Sequence, residues 1–306
     1  MVASAALLLP GQGSQRLGML EHVPENETLD RLFDAAQALS GLPLCAIATD
    51  GPEADLADTR VAQPLLYLAD WAWAVALIEC GIEPRAVAGH SLGELAALAI
   101  AGVYSVEAGL ELVVERSKFM AEAARSHPGT MAAVLGMDGA AISGAIADID
   151  GVWVANDNAP GQVVISGLHE AVESAGAALL EAGARRVVPL AVAGPFHSPL
   201  MMEAGERFAA LLAHTDFSDA QVPVYQNADP TPVTDAATIR SRLAEQIVSP
   251  VRWTETMRAL VAGGISRGVE AGPGAVLSGL AKRVDGLSVM SAETAGIEAV
   301  LSEVAS

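Results

Sequence analysis

Lysine is almost missing from this chain of 306 residues: Lys118 and Lys282 stand alone, and arginine supplies the rest of the 17 basic side chains. Against 37 acidic residues this leaves a formal net charge of −20. Binding to nucleic acid needs a basic face toward phosphate, so that class is excluded. An acidic partner would have to be met by local patches such as Arg185-Arg186 or Lys282-Arg283. Cysteine is scarce as well. Cys45 and Cys80 form no CxxC or metal-ligand spacing, which leaves a disulfide framework or a zinc site without support. Both sit among apolar residues and are expected to be buried as small hydrophobes. Charged residues make up only 18% and hydrophobic residues 52%, which excludes disorder and allows a large core. No long apolar run is free of charge. The most apolar, Leu65 to Ile82, carries Asp70 and Glu79 and reads as a core helix, not a membrane span. The run ending at Pro10-Gly11 has no basic flank, so a strand over Ala5–Leu9 is expected, not a signal peptide. A nucleotide-binding glycine motif is absent too: Pro10-Gly-Gln-Gly-Ser-Gln15 contains G-x-G, but neither G-x-G-x-x-G nor G-x-x-x-x-G-K. That loop is suited instead to close approach of its backbone, or of Gln12, to a ligand. A cytoplasmic protein fits these absences.

What is present centres on Ala88-Gly-His-Ser-Leu-Gly-Glu94, a G-x-S-x-G stretch with Ser91 in the middle. An apolar run, Ala86–Ala88, precedes it and a run of helix formers from Glu94 to Ala101 follows. Strand, tight turn and helix push Ser91 out at the strand tip, and the glycines permit the sharp backbone. The helix N-terminus aims free N–H groups at the same spot, which favours developing negative charge. A nucleophilic serine fits; a purely structural turn is the alternative.

Along the rest of the chain, helices are expected over Thr28–Leu39, Leu65–Cys80 and, N-capped by Ser105, up to Arg125. From Ser126 the texture changes to strand Thr130–Leu135, helix Gly139–Asp148, strands Val152–Ala155 and Gln162–Ser166, helix His169–Glu181 and strand Arg186–Val192. This βαββαβ order matches a small ferredoxin-like unit, read as a subdomain over 127–193 inserted between core segments 1–126 and 194–306. Past it come helix Ala204–Ala213, strand Val222–Gln226, helices Ala237–Ile247 and Trp253–Ala262, strand Gly268–Glu270, helix Ala275–Arg283 and strand Leu287–Met290. Strands alternating with helices make the large part α/β with a mostly parallel sheet.

Two further residues carry chemistry. Arg116 has Leu112, Val113, Phe119 and Met120 at its i±3 and i±4 positions, so it lies on the buried stripe of its helix. A buried guanidinium needs an anion: a structural carboxylate, or the carboxylate of a ligand. Among six histidines, His22, His127, His169 and His214 fall in loops or polar helix ends, and His90 adjoins Ser91 on a sharp turn where neighbours point apart. His197 lies just after a strand, in a loop stiffened by Pro195 and Pro199. It is the candidate base for Ser91, with a structural histidine as the alternative.

These residues coincide with a pattern. Pro10-Gly-Gln-Gly-Ser-Gln15, Gln63-Pro64, Gly89-His-Ser-Leu-Gly-Glu94 and Glu115-Arg-Ser-Lys-Phe-Met120 are joined by Asn156-Asp-Asn-Ala-Pro-Gly-Gln-Val-Val164 and Gly194-Pro-Phe-His-Ser198. Gln246-Ile-Val-Ser-Pro-Val-Arg-Trp253 and Glu270-Ala-Gly-Pro-Gly274 complete the set. The chain resembles the malonyl-CoA:acyl-carrier-protein transacylases of fatty-acid and polyketide synthesis. The resemblance implies a hydrolase-like α/β core with an inserted ferredoxin-like subdomain and a site in the cleft between them. It implies that Ser91 carries a malonyl ester and His197 acts as base and then acid. Backbone N–H groups of Gln12 and Leu92 would form the oxyanion hole, and Arg116 would grip the malonyl carboxylate. Gln246 would orient His197 through its backbone carbonyl, in place of a triad acid. Gln63 and Asn158 match pocket-lining positions, and Phe196 and Leu92 a malonyl-selective pattern in which Phe196 excludes an α-methyl branch. Malonyl-CoA and a carrier protein bearing phosphopantetheine are the implied substrates of a monomer with no metal or redox cofactor. An acyl hydrolase on the same scaffold, a malonate decarboxylase transacylase subunit, a trans-acting polyketide synthase acyltransferase and a dead-site scaffold are the rival readings.

Overall fold

The computed structural model of the protein describes residues 3–305; Met1, Val2 and Ser306, the ends of the expected core, lie outside the described residues. In chain order the elements are β1 (Ala3–Leu9), α1 (Glu27–Ser40), α2 (Leu44–Asp50), α3 (Thr59–Glu79), β2 (Ile82–Gly89), α4 (Leu92–Ile100) and α5 (Val106–Ser126). Then follow β3 (Thr130–Leu135), α6 (Gly139–Ala145), β4 (Val152–Ala159), β5 (Gln162–Gly167), α7 (His169–Glu181) and β6 (Arg186–Pro189). The chain closes with α8 (Met202–Ala213), β7 (Val224–Tyr225), α9 (Ala236–Glu245), α10 (Trp253–Ala262), β8 (Arg267–Glu270), α11 (Val276–Ala281), β9 (Ser288–Ser291), α12 (Ala292–Ala295) and α13 (Ile297–Ala305).

Two sheets result. One is parallel, in the order β7-β2-β1-β8-β9, and β1 at its centre is buried along nearly its whole length, as an apolar strand covered on both faces must be. The other is antiparallel, in the order β4-β5-β3-β6, which is the ferredoxin-like arrangement of a βαββαβ chain. α6 and α7 cover it with their own apolar cluster around Ile142, Val163, Ile165 and Leu179.

The long apolar helix α3 has a window of mean hydropathy 1.4, long enough to cross a membrane, but 78% of that window is buried inside the protein, so it is a core helix. It starts earlier than Leu65, because Asp58 caps it by accepting from Arg60 N–H and because Pro64 is accommodated inside the second turn. That brings Gln63 onto a helix. Two sequence expectations fail at the cysteines. Cys80 is exposed and Cys45 only half-buried. Cys80 is the C-cap of α3, where the last turn leaves the core before the positive-φ Gly81. Strand β7 shrinks to two residues and β4 runs on to Ala159 through two register shifts. The short helices α2 and α12 were not foreseen, nor was the terminal helix α13, although its Ile297, Val300, Leu301 and Val304 recur at helical spacing.

The turn from β2 into α4 is packed directly onto the end of β1. His90 N–H donates to Leu9 O at 2.9 Å. A Cβ on Gly93 would lie 2.1 Å from that same carbonyl oxygen, and one on Gly89 would lie 1.9 Å from the Gly93 carbonyl carbon. Both obstacles are backbone, so neither can swing aside. Gly93→Ala is therefore expected to cost about 3 kcal/mol or more, through strain at a close backbone approach. Gly144→Ala on α6, where nothing lies within 4 Å, should instead gain about 0.5–1 kcal/mol. Thermal and urea unfolding of the two variants measure the contrast; equal midpoints would contradict it.

Candidate active site

Ser91 is held in a backbone conformation that L-residues avoid, with φ 51 and ψ −103. Two side-chain amides hold it there. Ser91 N–H donates to Asn227 Oδ1 at 2.6 Å, and Ser91 O accepts from Gln246 Nε2 at 2.8 Å. Asn227 also donates from Nδ2 to Gly89 O at 2.6 Å, so one residue grips both sides of the turn. It reaches the turn because β7 pairs with β2, Ala88 opposite Tyr225, and Asn227 is two residues further on.

His197 follows β6 in the Pro195–Pro199 loop and is the other non-glycine residue with positive φ among those described, at 55. Its Nε2 lies 2.8 Å from Ser91 Oγ. Its Nδ1 lies 3.1 Å from Gln246 O and 3.1 Å from Ser249 O. Two carbonyls can only accept, so Nδ1 carries the proton and the Nε2 lone pair faces the serine hydroxyl. Burial, with Arg116 and His90 adding to it, lowers the imidazole to about 3. The ring is therefore neutral at ordinary pH, and burial together with Arg116 holds its basicity down.

Arg116 on α5 is only 1% exposed. Its Nη1 donates to Gln63 Oε1 at 2.6 Å, and its Nη2 donates to Gln246 Oε1 at 2.9 Å and to Ser91 Oγ at 3.2 Å. Among the described residues no carboxylate lies within ion-pair distance of it, and its Nε is buried with no partner. The cation is thus met by neutral amide oxygens. Burial lowers it to about 10, with Glu94 and Tyr104 pulling the other way, and it keeps its charge at neutral pH. Gln63 is oriented by donating from Nε2 to Thr59 Oγ1 at 2.6 Å, and Thr59 donates in turn to Gln12 Oε1 at 3.2 Å. The Gln12 loop is so tied to the guanidinium through two side chains.

A cavity of about 160 Å³ opens above Ser91. Gln12, Leu92, Arg116 and His197 border it, with Met120 and Phe196 as an apolar wall. Asn158 lies on its rim, 2.8 Å from His90 Nε2, and His90 packs edge-on against Trp253 with centroids 5.5 Å apart. His90 so turns to Asn158 and not to His197. The four remaining histidines are exposed. A larger cavity of about 820 Å³ around Tyr104, Glu111 and His214 contains neither Ser91 nor His197. Arg185, Arg186, Lys282 and Arg283 are exposed and line neither cavity. Among the described residues no cluster of three metal-ligating side chains occurs.

The structure thus brings Ser91, His197, Arg116, Gln63, Gln12, Leu92, Asn158 and Phe196 to one cavity, with Gln246 beneath it. Sequence reasoning missed the side chain of Gln246, which bonds both Ser91 O and Arg116, and also missed Asn227, Glu94, Thr59 and the Ser249 carbonyl. Asn227 had one signal: a polar Gln-Asn pair directly after a buried strand end.

Comparison with known proteins agrees with this geometry. Residues 7–297 match the acyl transferase domain family. The malonyl CoA-acyl carrier protein transacylase of Salmonella typhimurium is 42% identical, covering 97% of this chain and 99% of its own length. The Bacillus subtilis protein of the same name is 42% identical over 93% of this chain and 91% of its own. Among solved structures, a malonyl-transacylase in complex with its type II polyketide synthase acyl-carrier protein superposes with a TM-score of 0.92 at 39% identity, covering 98% of this chain and 99% of that one. The acyl carrier protein S-malonyltransferase of Vibrio cholerae gives 0.88 at 40% identity, covering 94% and 96%. Sequence, fold and site together make this chain a member of the acyl transferase family and, within it, of the malonyl CoA-acyl carrier protein transacylases.

Proposed function

We propose that this protein transfers a malonyl group from malonyl-CoA to the phosphopantetheine thiol of an acyl carrier protein through a malonyl ester on Ser91. The observation that carries the reading is Arg116: a buried cation bonded to amide and hydroxyl oxygens but to no carboxylate, 3.2 Å from Ser91 Oγ, fits a receptor for a carboxylate that arrives with the acyl group. A hydrolase of neutral acyl chains would have no use for it.

In the proposed reaction His197 Nε2 takes the Ser91 hydroxyl proton as Oγ attacks the thioester carbonyl. The tetrahedral oxyanion is met by the N–H of Leu92, at the open N-terminus of α4, and by that of Gln12. His197 returns the proton to the departing CoA sulfur. The carrier thiol then repeats the sequence on the malonyl ester, giving up its own proton to His197. Throughout, the Gln246 and Ser249 carbonyls support the imidazolium by accepting from Nδ1–H, a role filled by a carboxylate in other triads. Binding of the malonyl carboxylate also offsets the Arg116 charge that weakens His197, so the correct substrate strengthens the base. Malonyl-CoA and the carrier enter as substrates, and every proton is handled by side chains already present. Phe196, buried at the cavity wall, leaves no room for an α-methyl branch in this reading. The ferredoxin-like residues 127–193 form the proposed inserted subdomain on the core 1–126 and 194–306, and the proposed location is the cytoplasm. The acidic carrier would dock on local exposed patches such as Arg185-Arg186 or Lys282-Arg283.

Three outcomes follow. Ser91→Ala should form no covalent malonyl adduct by intact-mass spectrometry, and an adduct on that variant would sink the assignment. Arg116→Ala should lose about 1.5–3 kcal/mol of kcat/KM for malonyl-CoA, the scale of a charge-assisted hydrogen bond, while its relative preference for acetyl-CoA rises. Unchanged selectivity would contradict the carboxylate receptor. Because His197 sits at about 3, below the ordinary 6.5, its base form persists on acidification. The profile of kcat/KM against pH should therefore show no acid limb near 6.5, and a loss of rate centred there would overturn the neutral-imidazole account.

A further inference from the structure

Glu94 is the one charged side chain of the serine turn that the transfer reaction leaves without a task. It lies in the first turn of α4, three residues past Ser91, and is completely buried. Its Oε2 accepts from Asn227 N–H at 2.7 Å and its Oε1 from Gln226 Nε2 at 3.1 Å. Asn227 is the residue that holds Ser91 N and Gly89 O, so Glu94 anchors the clamp on the strained serine from below. Among the described residues it has no ion pair of its own. The positive charge it faces is Arg116, with Gln246 set between them: Gln246 Oε1 accepts from Arg116, and its amide also faces Glu94. Tyr104 approaches from the α4–α5 connection, but its hydroxyl donates to Leu95 O and burial pushes it far above its ordinary value, so it stays neutral. Gln226, Asn227 and Gln246 carry no charge. Arg116 and Glu94 thus form one buried, unbonded charge pair, with the cavity opening on the Arg116 side.

We propose that Glu94 is the resident countercharge of Arg116 and that its ionised form is protonated from solvent when the carboxylate of an acyl group settles on Arg116. The inference rests on the malonyl-transfer reading. Its logic is charge balance. A buried guanidinium with one carboxylate nearby is balanced; with two it carries a surplus negative charge that a low-dielectric interior does not support. The malonyl carboxylate is the stronger acid and bonds Arg116 directly, so the surplus is removed at Glu94, as a carboxylate becoming a carboxylic acid. Transfer of the malonyl group to the carrier thiol empties the receptor and the proton returns to solvent. Burial already raises Glu94 to about 7, against its hydrogen bonds and Arg116, so the carboxyl is poised near neutrality before substrate arrives. Glu94 acts here as a positioning residue, through Arg116 and Asn227, and touches no substrate atom.

Proton counting tests this. The full-length enzyme is mixed in weakly buffered solution with malonyl-CoA or, separately, acetyl-CoA, and proton exchange is read with a pH indicator. Each reading is divided by the acyl-enzyme formed, determined by intact mass. Release of the CoA thiol is common to both substrates and cancels in the difference. Malonyl loading should take up more protons than acetyl loading, by up to about half a proton at pH 7, because Glu94 is half protonated there before binding. The Glu94 share of the difference should fall away toward pH 5, where Glu94 is protonated in both states, and the difference at pH 7 should be absent in Glu94→Gln. Equal counts for the two substrates at pH 7, or a difference there that survives in Glu94→Gln, would overturn the proposal. If that variant does not fold, the wild-type profile still decides: a difference that is absent at pH 7 and appears only toward pH 5 assigns the proton to His197 and overturns it. Failure to form a malonyl adduct at all would instead count against the transfer reading.

Discussion

A guanidinium buried without a bonded carboxylate is the constraint from which the rest of this site follows. Breaking a buried charge pair costs about 3–5 kcal/mol, and Arg116, with no carboxylate bonded to it, lies 3.2 Å from Ser91 Oγ. The protein surrounds it with oriented amide oxygens from Gln63 and Gln246 instead of closing it with an ion pair. Each of these amides has its nitrogen occupied elsewhere, on Thr59 and on Ser91 O, which fixes its oxygen toward the cation. The guanidinium is held in place and, in the proposed reaction, remains open to a better anion. Its charge reaches outward to His197, whose basicity it holds down, and inward to Glu94, whose ionisation it supports.

Ser91 and His197, the proposed reacting pair, are strained, and the same network holds them in place. Ser91 and His197 both sit at positive φ, a position that costs a non-glycine residue on the order of 1–3 kcal/mol. Asn227, Gln246 and the packing of Gly89 and Gly93 on the end of β1 over-determine the serine; two flanking prolines and two carbonyl acceptors do the same for the histidine. Gln246 is the joint between the two halves. Its backbone carbonyl fixes His197, and its side chain fixes both the Ser91 carbonyl and Arg116. In the proposed reaction this glutamine at the end of α9 stands where other hydrolase-like sites carry an acid.

How much of this the sequence disclosed depended on the range of the signal. Ser91 is announced by its own strand-turn-helix neighbours, and Arg116 by the apolar residues one turn away on either side, so both are local patterns. The βαββαβ order and the alternation of strands and helices likewise sufficed for two sheets of opposite character. The partners of Arg116 are a different matter. Glu94 and Gln246 lie 152 positions apart and meet only because β7 pairs with β2 and α9 returns over the turn. Asn227 was hidden for the same reason. Cys80 failed in the other direction: its apolar neighbours belong to α3, but the helix ends on it, and a helix end faces solvent whatever precedes it. Short terminal helices such as α12 have too few turns to show a period.

The central claim is that a substrate carboxylate replaces internal hydrogen bonds on Arg116. A crystal structure of the enzyme trapped with malonyl on Ser91 tests it most directly. The account predicts the malonyl carboxylate within hydrogen-bond distance of both terminal nitrogens of Arg116, with the contact from Nη2 to the serine oxygen lost. A malonyl carboxylate pointing to solvent, with Arg116 still bonded to Gln63 and Gln246 as in the free enzyme, would contradict it.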